Sequence, residues 1–105
     1  MTPAAIEEIL KTNPAVVLYF SAPTCNVCHA LKPKLFEAIE TNFDAFEIIS
    51  VDISDSPETA SHFGVFAIPT LLVFLDGREF LRKSRHMSVG EVVEAIRRPY
   101  EIMMR

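Results

Sequence analysis

The apolar run AVVLYFS, residues 15–21, is the feature that most constrains how this chain can fold. Its residues are mainly β-branched, aliphatic or aromatic, and no charged residue interrupts them. This composition is typical of a strand that is covered on both faces. Such a strand belongs in the centre of a mixed or parallel sheet that has helices on both sides. The run therefore predicts a layered α/β protein.

Two helices and a strand are predicted before and after this central strand. Thr2 and Pro3 start a helix, with the hydroxyl as its cap and proline at the first helical position, and the run TNP ends it. The run FEIISVDI predicts a second strand. Ser56 and Pro57 then start a short helix, which Gly64 closes.

A long helix is predicted directly after the central strand, from Cys25 to about Asn42. Apolar residues at helical spacing give it one apolar face, formed by Val27, Leu31, Leu35, Phe36 and Ile39. Pro33 lies inside this helix and has no N–H to donate to the carbonyl of His29. We therefore expect the helix to kink one turn after Cys28.

The last third of the chain predicts a hairpin and a final helix. The runs TLLVFL and REFLRKS flank Asp76-Gly77, which is one of the strongest short turn signals. Ser88 and Glu91 have the spacing of a capping box, which starts the last helix, and Pro99 is expected to end it. Residues 99–105 are then a tail that either packs back on the core or stays loose.

The order of the predicted elements defines the fold class. Helical crossovers make the first two strands parallel, and the hairpin adds an antiparallel pair. The fold class is therefore α/β, with a four-stranded mixed sheet flanked by helices. The chain has 105 residues and no linker, repeat or low-complexity segment, so we expect one domain over residues 1–105.

Composition and charge argue against several classes of protein. No apolar run approaches the roughly 20 residues that span a bilayer, so no insertion into a membrane is expected. The net charge of −4 argues against nucleic acid and anionic membrane surfaces as partners. The N-terminus carries Glu7 and Glu8 and lacks the basic and apolar regions of a signal peptide, so a cytoplasmic location is expected.

The only two cysteines, Cys25 and Cys28, lie where the central strand ends and the long helix begins. Thr24 is a candidate N-cap, and a thiol here meets free backbone N–H groups and the positive end of the helix dipole, which favour the thiolate. Cys28 follows nearly one turn later, within reach of the Cys25 sulfur. The spacing predicts a pair that alternates between dithiol and disulfide, with Cys25 as nucleophile and Cys28 as resolving thiol.

Three other interpretations of the cysteines carry less weight. Two unrelated buried cysteines would rarely fall at this spacing on a strand-to-helix turn. A structural metal site needs about four ligands, and there is no second cysteine pair, while His29, His62 and His86 are scattered. No metal and no cofactor are therefore expected. A purely structural disulfide would close a loop too short to stabilise the fold much, and it would not suit a reducing compartment.

The cysteine motif, the element order and the run GVFAIPTLLVFLDGREF together resemble the thioredoxin family, from about Val16 to Ile96. The resemblance implies a thioredoxin-like fold, here in the trimmed version that lacks the extra N-terminal strand. It also implies that Pro69 follows a cis peptide bond and faces the cysteine pair, and that the backbone of Ile68 pairs with an extended substrate segment. Thr24, Thr70 and Arg85 complete the implied substrate groove.

Several positions depart from the usual pattern of that family. Its active-site run is usually Trp-Cys-Gly-Pro-Cys, whereas this chain has Thr-Cys-Asn-Val-Cys, so that Asn26 and Val27 replace the dipeptide that helps to set redox poise. Tyr19 replaces a buried aspartate that relays a proton for the second cysteine. Deprotonation of Cys28 should then be slower unless Tyr19, His29 or water assists.

A further departure is Arg85, which replaces a glycine of the substrate groove. Its guanidinium is expected to favour the Cys25 thiolate if the two lie close together, and to favour acidic targets.

The function implied by these residues is that of a thiol–disulfide oxidoreductase that reduces protein disulfides. Its partners are then protein disulfide substrates and an upstream thiol reductant, and the chain is expected to act as a monomer. The alternative is a thioredoxin-fold binding module, in which the groove beside Pro69 holds an extended peptide by strand-like pairing and the cysteines turn over little.

Overall fold

The computed structural model describes residues 1–105 and contains four helices and four strands in the predicted order. The helices are α1 (Pro3–Thr12), α2 (Asn26–Asn42), α3 (Pro57–His62) and α4 (Val89–Met103). The strands are β1 (Ala15–Ser21), β2 (Phe46–Asp52), β3 (Thr70–Leu75) and β4 (Arg78–Ser84). None of the helices has the length and apolar character needed to cross a bilayer.

The four strands form one mixed sheet in the order β2-β1-β3-β4. Strand β1 runs parallel to β2 and antiparallel to β3, and β4 pairs antiparallel with β3. Because β1 is paired on both sides, it is the central strand that its apolar composition predicted. The α/β class and the four-stranded mixed sheet flanked by helices are confirmed.

Helices cover both faces of the sheet, and alternate residues of β1 reach the two apolar clusters that result. On one face, Ala15, Val17 and Tyr19 pack with buried residues of α2 and α4. On the other face, the alternating positions pack with buried residues of α1 and α3, and these β1 residues are Val16, Leu18 and Phe20. This double burial explains why the run contains no charged residue.

Most helices and strands begin or end at residues that the sequence marks locally, such as a capping hydroxyl or a turn dipeptide. The Thr2 hydroxyl accepts a hydrogen bond from the N–H of Ala5 at 3.1 Å and caps α1. Asp76 and Gly77 both have positive φ values, 53° and 78°, which is the conformation of a type I′ hairpin turn. The Ser88 hydroxyl accepts from the N–H of Glu91 and caps α4, as the capping spacing predicts.

The prediction that Pro99 ends the last helix is wrong, because α4 continues through Pro99 to Met103. Tyr100 explains the continuation. Its ring lies on the rings of Phe43 and Phe46, with centroid distances of 4.9 and 5.4 Å, and its hydroxyl accepts from the N–H of Ala45 at 2.9 Å. This packing outweighs the one helical hydrogen bond that proline removes, so the C-terminal segment packs on the core.

The apolar face assigned to α2 is also wrong at its first position. Val27 is 62% exposed, whereas Leu35 and Ile39 are buried and Leu31 and Phe36 are partly buried against the sheet. Val27 lies in the first turn of the helix, where it lines an open depression together with Leu31 and Arg85. Pro33 lies inside α2, as predicted.

Candidate functional site

Cys25 and Cys28 lie at the junction of β1 and α2, and a disulfide joins them across a Cα–Cα distance of 5.3 Å. Cys25 is the N-cap residue of α2, with extended backbone, and its Sγ accepts a hydrogen bond from the N–H of Cys28 at 3.2 Å. The prediction of Thr24 as the cap is therefore wrong. Thr24 lies one residue too early, and the sulfur takes the place of a capping hydroxyl.

The two sulfurs differ in their access to solvent. Cys25 is partly exposed, whereas Cys28 is 1% exposed. At the start of α2, Cys25 also lies at the positive end of the helix dipole. An N–H bond to a sulfur and a helix N-terminus are both general features that favour a thiolate over a thiol. The geometry thus provides one accessible sulfur at a helix N-terminus and one protected sulfur.

Tyr19 fills the space beneath Cys28, at the position where the family resemblance implied an aspartate. Its side chain is fully buried, and its hydroxyl donates to the carbonyl oxygen of Cys28 at 2.9 Å. Burial raises the pKa of the Tyr19 hydroxyl above its ordinary value. A neutral hydroxyl that already donates its proton to the backbone is not a base for the Cys28 thiol.

His29 binds the loop rather than either sulfur. Its Nε2 lies 2.9 Å from the carbonyl oxygen of Pro23, and because a carbonyl only accepts, this nitrogen carries the proton. The bond ties the first turn of α2 to the loop ahead of Cys25. Across the chain, no group of three or more histidine, cysteine, aspartate or glutamate side chains is arranged to hold a metal ion.

The segment that leads into β3 contains the predicted groove residues Ile68, Pro69 and Thr70. The peptide bond between Ile68 and Pro69 is cis, and the Thr70 hydroxyl donates to the carbonyl of Ala67 at 2.7 Å. The N–H of Arg85 donates to the carbonyl of Pro69 at 2.6 Å, so Arg85 lies beside this segment. The N–H and carbonyl of Ile68 make no hydrogen bond within the chain.

Arg85 has a φ of +64°, in the left-handed region that glycine adopts at little cost. It lies in an open depression of about 470 Å³, which it lines together with Val27, Leu31 and Met87. Arg85 forms none of the chain's ion pairs. Arg85 therefore shares an open depression with Val27 of the first turn of α2, and no carboxylate of the chain binds its guanidinium.

Replacing Arg85 with glycine should raise the free energy of unfolding by about 0.5–1 kcal/mol, because an L side chain is strained at this φ. Urea unfolding of the two proteins would measure the difference. Lys83→Gly is the matched control, since it places glycine in extended strand β4 and should lower stability by a similar amount. A less stable Arg85→Gly protein would contradict the argument.

Two apolar residues are exposed: Phe66, which was not predicted as a site residue, and Val27, which was predicted on the apolar face of α2. Phe66 is 89% exposed and precedes Ile68 by two residues, and Val27 is exposed between the two cysteines. The available signal was that Phe66 lies in a loop, between Gly64 and Pro69, where no helical or strand periodicity gives it a buried neighbour. Val27 thus places apolar surface between the two cysteines, and Phe66 places it on the loop that leads to Ile68 and Pro69.

Comparison with known proteins agrees with this architecture. The family model for thioredoxin matches residues 1–98. The chain is 34% identical over 98 residues to the thioredoxin-like protein YdfQ of Bacillus subtilis, covering 93% of this chain and 87% of that protein. It is 38% identical over 78 residues to the thioredoxin of Listeria monocytogenes, with 73% and 74% covered. The structure of thioredoxin 1 from Thermosipho africanus superposes with a TM-score of 0.72 at 28% identity, over 86% of this chain and 99% of that one.

A sheet of this topology that carries a cysteine pair at the start of its long helix defines the class of thiol–disulfide oxidoreductases. Within that class, the chain belongs to the thioredoxin family, and the resemblance inferred from the sequence is confirmed. Membership of this family indicates protein disulfides as the substrates.

Proposed function

We propose that this protein is a reductant of protein disulfides in which Cys25 attacks and Cys28 resolves. The difference between the two sulfurs carries the proposal. A target disulfide can approach Cys25, which is partly exposed and is stabilised as thiolate by the N–H of Cys28. Cys28 is protected from solvent and its sulfur is bonded to that of Cys25, so it suits an internal second attack.

The exchange proceeds in two displacements. In the first, the Cys25 thiolate attacks one sulfur of the target disulfide, and the other target sulfur leaves as a thiolate. In the second, the Cys28 sulfur attacks the Cys25 sulfur, and the remaining target sulfur leaves and takes up the proton that Cys28 gives up. Two electrons have then passed to the target, and the protein holds the disulfide seen in the structure.

The surface beside the cysteines suits an extended target segment. The free N–H and carbonyl of Ile68 offer one strand-like pair of hydrogen bonds. Phe66 and Val27 offer apolar contacts, and the guanidinium of Arg85 favours a target with a nearby carboxylate. We assign the groove to these residues together with Thr24, Pro69 and Thr70. Asn26 lies in the same exposed turn and helps to set the redox poise.

A reductant of this kind must be returned to its dithiol form by an upstream thiol donor, so the protein acts in an electron-transfer chain. We place it in the cytoplasm, because that compartment keeps thiols reduced. We also propose that it acts as a monomer, since a single chain supplies every residue of the pair and of the groove.

The reduction potential of the Cys25–Cys28 pair tests the direction of the reaction. We expect a value near the thioredoxin reference of about −270 mV, measured by equilibration in dithiothreitol buffers and quantification of free thiols. Cys28→Ser is the control, because it has no partner for a disulfide and should show no transition. A value near about −120 mV, typical of a strong oxidant, would overturn the assignment as a reductant.

A further inference from the structure

The backbone N–H and the backbone carbonyl of Cys28 each make a hydrogen bond to a side chain, one to Cys25 and one to Tyr19. Its N–H donates to the Sγ of Cys25 at 3.2 Å, and its carbonyl oxygen accepts from the hydroxyl of Tyr19 at 2.9 Å. Tyr19 belongs to central strand β1, whose first six residues are all buried. Cys25 is the N-cap residue of α2, and Cys28 lies in the first turn of that helix. The Tyr19 hydroxyl is thus a direct link from the sheet to the backbone of Cys28.

This link lies where α2 is otherwise weakly held. Pro33 has no N–H, so the carbonyl of His29, the residue next to Cys28, lacks its helical hydrogen bond. The first turn of a helix also lacks the hydrogen bonds that its N–H groups would make to an earlier turn. The first turn of α2 therefore lacks both the bond to the His29 carbonyl and the bonds that its own N–H groups would make. A tertiary hydrogen bond to Cys28 then contributes more to holding this turn than it would in the middle of a helix.

We propose that Tyr19 is a positioning residue for the redox pair, whose hydroxyl fixes the Cys28 backbone and thereby the N–H that Cys28 presents to the Cys25 sulfur. This inference rests on the proposed roles of Cys25 and Cys28. Fixing Cys28 keeps its sulfur close to that of Cys25, which favours the disulfide. It also keeps the N–H directed at Cys25, which favours the thiolate of the dithiol form.

The same geometry distinguishes positioning from acid–base catalysis. The Tyr19 hydroxyl donates to a carbonyl oxygen, and burial raises the pKa of Tyr19, so the side chain remains a neutral donor. Tyr19 therefore supports the sulfur pair through the backbone and does not take the proton of Cys28.

The test is Tyr19→Phe, which keeps the buried ring and removes the hydroxyl. Tyr100→Phe is the matched control, because the Tyr100 ring is also buried and its hydroxyl also makes one backbone hydrogen bond, to the N–H of Ala45, on a part of the fold remote from the disulfide. Unfolding in urea should show a loss of stability in both variants.

Two measurements on the pair itself separate the variants. In Tyr19→Phe, the equilibrium with glutathione should shift roughly three- to tenfold toward the dithiol, the range that one net hydrogen bond produces. Weakening of the N–H bond to the Cys25 sulfur acts in the opposite direction, but that bond is also made in the disulfide form, so its effect on this equilibrium is the smaller one. The fraction of Cys25 present as thiolate at neutral pH, measured by ultraviolet absorbance, should also fall. In Tyr100→Phe, both quantities should stay within about twofold of the wild type, since its hydrogen bond lies elsewhere. Equal values in the two variants would show that Tyr19 only contributes stability.

A second variant tests whether the weak hydrogen bonding of the first turn of α2 makes the Tyr19 hydroxyl important. Pro33→Ala supplies the missing N–H for the carbonyl of His29, so in the Tyr19→Phe background it should recover part of the shift in the glutathione equilibrium. If the Tyr19→Phe protein folds poorly, the same measurements can be made on the double variant, in which the added helical hydrogen bond stabilises α2. No recovery would contradict the role assigned to the first turn of α2.

These measurements use no protein target. A wild-type protein that fails to reduce target disulfides would overturn the proposed function, yet unequal shifts in the two tyrosine variants would still support the role of Tyr19.

Discussion

Cys25→Ser should lower the rate of protein disulfide reduction by at least about a thousandfold, because a serine hydroxyl is neither ionised at neutral pH nor able to form the mixed disulfide. Reduction of a disulfide-bonded model protein, followed by the release of free thiols, would measure the loss. Oxygen is smaller than sulfur and can still cap α2, so the variant should fold.

Cys28→Ser is the matched variant, since it removes the second displacement and leaves the first. We expect it to stop after attack by Cys25 and to accumulate a mixed disulfide with the target, visible as a covalent adduct by mass spectrometry. Turnover retained by Cys25→Ser would contradict the assignment of the nucleophile. A Cys25→Ser protein that keeps its full cellular role would instead support the peptide-binding alternative.

Leu72→Ala should lower the free energy of unfolding by about 3 kcal/mol, within the range measured for large-to-small changes in cores. Leu72 is fully buried in β3, where it lies opposite Leu18 of the central strand and belongs to the same buried apolar cluster as Ile6 and Leu10 of α1. The sheet fixes the backbone around it, so the space that the side chain leaves cannot close fully. The loss is large against the roughly 5–15 kcal/mol that stabilises a typical domain.

Urea unfolding would measure this loss, and Ile102→Ala is its control. Ile102 is 48% exposed on α4 and loses few contacts on truncation, so its effect should stay below about 1 kcal/mol. Leu72 also lies away from the disulfide, and the folded variant should keep its reduction potential. A Leu72→Ala protein as stable as Ile102→Ala would contradict the account of the core.

Features encoded over a few neighbouring residues were predictable from the sequence. The cap at Thr2, the turn at Asp76-Gly77 and the cysteine spacing each require only local geometry, and the structure has all three. The apolar run of β1 was equally informative, because a strand without charged residues has few places in a fold other than the centre of a sheet.

The predictions were wrong or incomplete where contacts between residues far apart in the sequence determine the structure. Pro99 is a strong helix-ending signal by itself, and only the contacts of Tyr100 with Phe43 and Phe46, more than 50 positions earlier in the chain, show why α4 continues. The exposure of Val27 depends on which parts of the fold pack against the first turn of α2. The target of the Tyr19 hydroxyl depends on how β1 and α2 pack. None of these is contained in a helical or strand period.

The position of β4 at one edge of the sheet has a consequence for how copies of this protein meet in a crowded solution. An edge strand presents free backbone groups on which the strand of another molecule can add, which is a route to aggregation. Four of the seven residues of β4 are charged: Arg78, Glu79, Arg82 and Lys83. A second strand that docked here would have to bury or displace these charges. The basic residues on this edge thus protect the protein against sheet extension between molecules.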